Sequence, residues 1–372
     1  MNSKKLVLAV LLAAFILSAF AGVGLAQDKK DGKGQAQEKE KVYIPKDVKA
    51  ILEQGLATRQ GLPGIPVTMT KHLFFPYYSS PGVMHNVFGL KIKNADLPFA
   101  PLTAAPAPAA KPEEKKEEKK ETTEAFESVP PSDMKAGFDL FLQFREIADN
   151  IPGKIVKEVY VPTEVLIPAA EYKPESVEDY FVGYDLPPGN FLMVLAVRSM
   201  DQKTMGSTYY EFSTPDPAKL DNKLETTPII FVKNVEQMQT QENRTTLHRG
   251  CFTYLILKVT PNVAGLIPQK SPLDLLYLVI GAKPNDQRKF SLETSMEIKQ
   301  GDKVMIPYAS SVMESPFVNL PLPLKQNLLK KMGTTETKET LDLPPGKYTL
   351  VVKITDKVSG AAVTKSAEFE VI

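Results

Sequence analysis

The chain has 372 residues, with 45 basic against 44 acidic side chains, one cysteine and no tryptophan. That near-neutral balance excludes nucleic acid, or an anionic membrane surface, as a partner recruited by overall charge. A single cysteine excludes an internal disulfide, and the lack of tryptophan excludes a sugar-stacking platform built on that residue.

The first thirty residues read MNSKKLVLAVLLAAFILSAFAGVGLAQDKK. Lys4 and Lys5 form a short positive region, Leu6 to Phe20 an apolar run, and Gly24-Leu25-Ala26 a small-residue cleavage site. This is the layout of a secretory signal over residues 1–26, with an apolar run short for a membrane span. Its removal leaves 43 basic and 44 acidic residues, and a chain that is no longer an integral membrane protein. The expected location is secreted or periplasmic, in a bacterial cell. Residues 27–41 (QDKKDGKGQAQEKEK) have nothing to bury and read as a disordered tether. Within 42–62, Val48, Ile51, Leu52 and Leu56 are spaced for one face of a short helix after Pro45. Gly55 weakens that helix and Gly61 can end it.

From Val67 onward the pattern changes to short apolar runs with period two. VTMTKHLFFPYY, HNVFGLKIKN, GFDLFLQFR, FLMVLAVRS and YYEFS read as strands of a first module over 63–216. Inside it, residues 101–134 are Ala/Pro-rich and then alternate Glu and Lys pairs, the composition of a disordered, solvated insertion. Since the strands on either side look like neighbours, the insertion reads as a long hairpin loop. TPIIFVKNV, CFTYLILKVT, LDLLYLVIGA, KFSLETSMEI, KYTLVVKITD and TKSAEFEVI form a second module over 226–372. The chain is therefore expected to be all-β, with about eleven strands and one helix.

An internal repeat accounts for the two modules. Asp185 to Thr214 aligns on Asp342 to Val371 without a gap. The identities are DLPPG, Val194 with Val351, Glu211 with Glu368, and Phe212 with Phe369. Pro188 and Gly189 suit the central positions of a type II turn. In the second copy Tyr348, Leu350, Val352 and Ile354 face one way and Thr349, Lys353 and Thr355 the other, a hairpin with one buried face. In the first copy Leu192, Val194 and Ala196 make the second face apolar too, so a covering helix or the inter-module contact is expected there. Weaker echoes pair HNVFGLKIKN with HRGCFTYLILK, and FDLFLQF with LDLLYLV.

The segment LPPGKYTLVVKITD and the strand after it resemble the last third of an immunoglobulin-like or fibronectin-III-like sandwich. The resemblance implies two tandem sandwiches and a tyrosine corner at Tyr348, which Phe191 lacks the hydroxyl to form. The same ending is similar to C-terminal modules of secreted bacterial proteins that carry a GWxTD domain, whose defining tryptophan is absent here. It covers roughly 30 residues per copy and carries no site.

Catalytic equipment is hard to find. There is no G-x-S-x-G elbow, no H-E-x-x-H, no phosphate loop and no C-x-x-C. His72, His85 and His248 have no ligand spacing. His85 and His248 precede similar strands, which suggests shared structural hydrogen bonds with the two rings a domain length apart. Cys251, in an apolar run, reads as a buried structural thiol. One stretch, LFFPYYSSPG, offers a candidate recognition patch of Phe74, Phe75, Tyr77 and Tyr78, unless these aromatics fill the core. No catalytic residue, cofactor site or metal site is assigned. The reading is a non-catalytic interaction or scaffold protein of the cell envelope with a protein partner. The alternatives are a module binding polysaccharide through Tyr and Phe, and a hydrolase or its accessory with a site between the modules.

Overall fold

The computed structural model describes residues 42–372 apart from 78, 79, 81, 103–132, 221, 222, 333 and 334. The expected signal (1–26), the tether (27–41) and nearly all of the insertion (101–134) lie outside the described residues. Helix α1 (Lys46–Gln54) comes first. The strands that follow are β1 (Thr68–Pro76), β2 (Met84–Lys93), β3 (Ala100–Pro101), β4 (Met134–Ala148), β5 (Ile151–Ile167), β6 (Val177–Leu186), β7 (Gly189–Ser199) and β8 (Met205–Thr214). Next are β9 (Glu225–Thr226), β10 (Ile230–Gln237), β11 (Leu247–Arg249), β12 (Phe252–Tyr254), β13 (Leu257–Pro261), β14 (Leu266–Ile267), β15 (Leu273–Ile280) and β16 (Leu292–Gln300). The last are β17 (Lys303–Pro307), β18 (Ser311–Met313), β19 (Phe317–Leu322), β20 (Lys325–Met332), β21 (Thr335–Asp342), β22 (Gly346–Asp356) and β23 (Ala362–Val371). The chain is all-β, as its period-two patterning requires.

Four sheets stack in order. The first runs β3-β4-β7-β8 with β5 on the other side of β4, and the second β1-β2-β6-β11. Phe138, Leu140, Leu142 and Phe144 of β4 and Met193, Leu195 and Val197 of β7 meet Phe88, Leu90, Tyr180 and Val182 between them, closing the first sandwich. The third sheet (β12-β13-β10-β15-β19, with β9) and the fourth (β14-β23-β22-β16-β17, with β18) close the second sandwich. Its core holds Phe231, Leu275 and Tyr277 against Ile298, Tyr348, Leu350 and Phe369. The hairpin β20–β21 forms a separate two-stranded sheet.

Helix α1 covers the outer face of the first sheet. Val48 and Leu52, both 0% exposed, pack on Phe141, Leu192, Val194 and Ala196, which explains why this copy is apolar on both faces. Burying two such aliphatic side chains favours docking by about 3–6 kcal/mol. Among the described residues no side chain caps the N-terminus of this helix. At the other end Tyr209 of β8 takes the capping role: its hydroxyl accepts from Gly55 N–H at 2.9 Å and lies 3.1 Å from Ile51 O.

The repeat is reproduced in three dimensions. Gly189 pairs with Thr214 and Phe191 with Phe212; Gly346 pairs with Val371 and Tyr348 with Phe369, the same register. Gly189 and Gly346 have φ of 155° and 151°. These values lie far from the φ of about 80° that a type II turn needs, so DLPPG is a bend rather than the expected turn. Glycine is required because β-carbon-bearing residues rarely adopt that region. Tyr348 Oη donates to Pro344 O at 2.8 Å, the hydrogen bond of a tyrosine corner.

The weaker echoes do not hold. β4 pairs with β7 inside one sheet, whereas β15 lies in the sheet opposite β22, whose partner is β16. The HRG stretch forms β11, which leaves the second module to pair with β6 of the first sandwich. The run CFTYLILKVT is two strands: Tyr254 pairs with Leu257 across a two-residue turn in which Leu255 takes φ 53°. β2 and β4, which flank the insertion, lie in opposite sheets. The two described ends of the insertion lie side by side, because β3 pairs with β4 and Leu102 N–H donates to Asp133 O at 2.7 Å; the loop expected between them lies outside the described residues.

Candidate site at the junction of the two sandwiches

The aromatic stretch of β1 leads to the interface between the second and third sheets. Alternation along the strand sends Leu73 and Phe75 toward the second sandwich. There they join Val87 and Phe181 against Ile230, Phe252, Tyr254, Leu276 and Leu278, a continuous apolar joint. Phe75 is fully buried, with ring centroids 4.8 Å from Tyr254 and 5.5 Å from Phe252. This corrects its place in the candidate patch: it fills the joint core and presents no surface. Phe74 and Tyr77 are half-buried, and Tyr78 lies outside the described residues.

A polar network rims the joint. His85 Nδ1 lies 2.7 Å from Asp185 Oδ1, and its Nε2 3.1 Å from the Thr253 carbonyl of the second sandwich. Tyr77 Oη donates to the same Asp185 oxygen at 3.1 Å, and burial together with that carboxylate raises the phenol well above its ordinary value. Thr253 Oγ1 donates to Glu242 Oε2 at 2.9 Å, and His248 Nε2 meets that oxygen at 2.9 Å. Burial alone would raise Glu242; the bonds from Thr246, His248 and Thr253 outweigh it and hold the carboxyl below its usual range. His85 and His248 are therefore linked through two residues, Thr253 and Glu242, rather than a domain length apart, because β11 has crossed to the first sandwich. Both His85 nitrogens thus lie within hydrogen-bond distance of oxygen atoms, one from each sandwich. The network fixes the relative position of the sandwiches.

Two grooves remain. The larger, about 790 Å³, lies beside the joint, between Lys71 and Phe74 of β1, the segment from Glu225 to Ile229, and Lys365 to Glu368 of β23. Lys71 makes no ion pair among the described residues, and burial lowers its pKa. Lys365 is paired with Glu225 at 2.6 Å. Thr226, in the same wall, is buried, and its Oγ1 has no partner among the described residues. The smaller groove, about 700 Å³, lies beside α1. Arg198, 8% exposed, donates from Nη2 to Asp139 Oδ2 at 2.8 Å and stacks over Phe141. Tyr160 Oη donates to Asp139 Oδ1 at 2.8 Å, while Tyr43 is 80% exposed.

His72 and Cys251 stand apart from both grooves. The His72 ring is stacked on Phe88 at 5.2 Å and bonded through Nε2 to Asn86 Oδ1 at 2.9 Å; burial pushes its pKa down to about 4. Cys251 is buried and its thiol is pushed up by burial, as a structural cysteine would be. Among the described residues no three His, Cys, Asp or Glu side chains are placed to hold a metal, and no helix is long and apolar enough to cross a membrane.

No protein-family model and no curated protein matches this sequence. Among solved structures, a crystal structure of red sea bream transglutaminase aligns over 83% of this chain and 31% of its own, at 8% identity and a TM-score of 0.21. A Salmonella alpha-2-macroglobulin mutant aligns over 82% of this chain and 16% of its own, at 8% identity and a TM-score of 0.15. This chain thus spans under a third of either structure's length, and at those scores neither likeness carries a functional argument.

Proposed function

We propose that this is a non-catalytic interaction or scaffold protein of the cell envelope, built from two immunoglobulin-like sandwiches in tandem. The observation that carries the reading is the use made of the reactive side chains. His72, His85, His248 and Cys251 are all engaged in packing or in bracing the joint. Open strand edges and grooves between elements are left for recognition. The immunoglobulin-like assignment is favoured by the Tyr348 corner bond and by the matched hairpin registers. The likeness to modules of GWxTD-carrying proteins rests on the DLPPG segment and the hairpin after it. Export is favoured by the signal-like residues 1–26. In source cells, the epitope-tagged chain should fractionate with the envelope and yield discrete protein adducts after photo-crosslinking. A cytoplasmic chain with no discrete adduct would refute the reading.

A second reading has one observation in its favour. In the groove beside α1, Tyr160 is held by its bond to Asp139 and Tyr43 is open to solvent. Aromatic rings next to fixed polar groups suit a pyranose ring. Retardation in affinity electrophoresis on envelope polysaccharide, lost in Tyr160→Ala, would favour it; unchanged mobility would remove it.

A further inference from the structure

The last strand of each repeated hairpin turns its outer edge the same way, and the two edges are treated differently. On β8 the chain's own residues 61–65 lie along the edge. Ser207 N–H donates to Leu62 O at 3.1 Å, Leu62 N–H donates to Ser207 Oγ at 2.9 Å, and Pro63 bridges Gly206. The approach is so close that a Cβ on Gly206 would sit 1.9 Å from Ile65 O. The residue of β23 aligned with Ser207 is Thr364. Here β14 covers only Glu370 and Val371, with Glu370 N–H donating to Gly265 O at 2.9 Å. Backbone groups alternate between the two edges of an antiparallel strand. Thr364, Ser366 and Glu368 therefore point their N–H and C=O groups to the same side as Glu370. Among the described residues no strand pairs with them there.

That open edge borders the groove whose other wall carries Lys71 and Phe74. An unpaired edge is a template for an added strand, in which backbone bonds give affinity and side-chain contacts give specificity. Lys71 is a half-buried cation without an ion pair among the described residues, and the carboxylate of Glu368 stays exposed to water. We propose that the β23 edge from Thr364 to Glu368 is a strand-addition site, taking an extended segment of a partner protein that sets an acidic side chain against Lys71. The segment 61–65 on β8 is the intramolecular counterpart of that ligand. The proposal rests on the interaction reading and gives it a location and a ligand chemistry.

The test selects random phage-displayed peptides on the full chain and measures the winners by fluorescence anisotropy. Two variants accompany the parent. Ser366→Pro removes an outward N–H while sparing the ladder to β22, since proline is tolerated on an edge strand. Lys71→Glu reverses the charge. The winners should carry Asp or Glu in a β-branched context and bind each variant about tenfold more weakly or worse, the equivalent of roughly one lost ladder bond or charge contact. Unchanged thermal melting of the two variants keeps the comparison interpretable; should Ser366→Pro melt early, Ser366 N-methylated by semisynthesis removes the same donor. No enrichment over an uncoated surface, or winners that bind all forms equally, would overturn the proposal. If crosslinked partners persist in cells under either result, the edge assignment has failed and the interaction reading has not.

Discussion

His72 provides a stability test with a defined sign. Its ring lies among Phe88, Phe212 and Phe74, with centroid distances of 5.2, 4.7 and 5.9 Å. Asn86 is 0% exposed and spends its amide on Met84 O, so its Oδ1 accepts from a neutral His72 Nε2–H. Burial lowers the folded-state pKa from 6.5 to about 4. In the window between those values the unfolded chain binds a proton that the folded chain refuses, so stability is lost as pH falls. The full linkage is about 3 kcal/mol, of which about 2 kcal/mol is lost between pH 7 and pH 5. The assay is urea unfolding at both pH values for the parent and for His72→Gln, which can still donate to Asn86 but does not titrate. The parent should lose about 2 kcal/mol more than the variant over that interval. Parallel losses, or a parent that gains relative to the variant at pH 5, would refute the argument.

Three other substitutions probe the architecture. Leu52→Ala should cost about 2–5 kcal/mol of local docking energy, read as faster proteolysis or amide exchange over 46–54 with the sandwiches intact. Tyr348→Phe removes the corner bond to Pro344 O and should lower stability by about 1 kcal/mol in chemical denaturation. Phe75→Ala should cost about 3–5 kcal/mol at the joint and split one calorimetric transition into two, as the sandwiches begin to unfold separately. A single, barely shifted transition would mean that the joint contributes little to cooperativity.

The parts of this fold that were legible in the sequence are those where local pattern and burial agree. The apolar second face of Leu192, Val194 and Ala196 pointed to a cover, and α1 supplies it. DLPPG marked two hairpins whose registers coincide, and Tyr348 announced its corner bond. What failed depended on long-range pairing. The turn at Leu255 is invisible because no Gly, Asn or Pro marks it, and the apolar run continues through it. β5 and β6 lie in stretches that the strand pattern did not single out, yet both alternate buried and exposed positions or carry a buried run. The crossing of β11 to the first sandwich brings His248 within one residue of the His85 network, and no periodicity encodes that exchange. The same gap explains the aromatic stretch. Phe75 and Phe74 are neighbours in sequence, but one fills the joint and the other lines the groove, a division set by which sheet β1 joins.

The central claim is that this protein works by holding another protein. The most direct measurement is affinity capture from an envelope extract of the source cells, with residues 27–372 immobilised and the retained proteins quantified by mass spectrometry against a blank matrix. The account predicts at least one partner enriched reproducibly and released by an excess of the free chain. No competable partner, together with turnover of a glycoside, ester or peptide substrate by the purified chain, would contradict it.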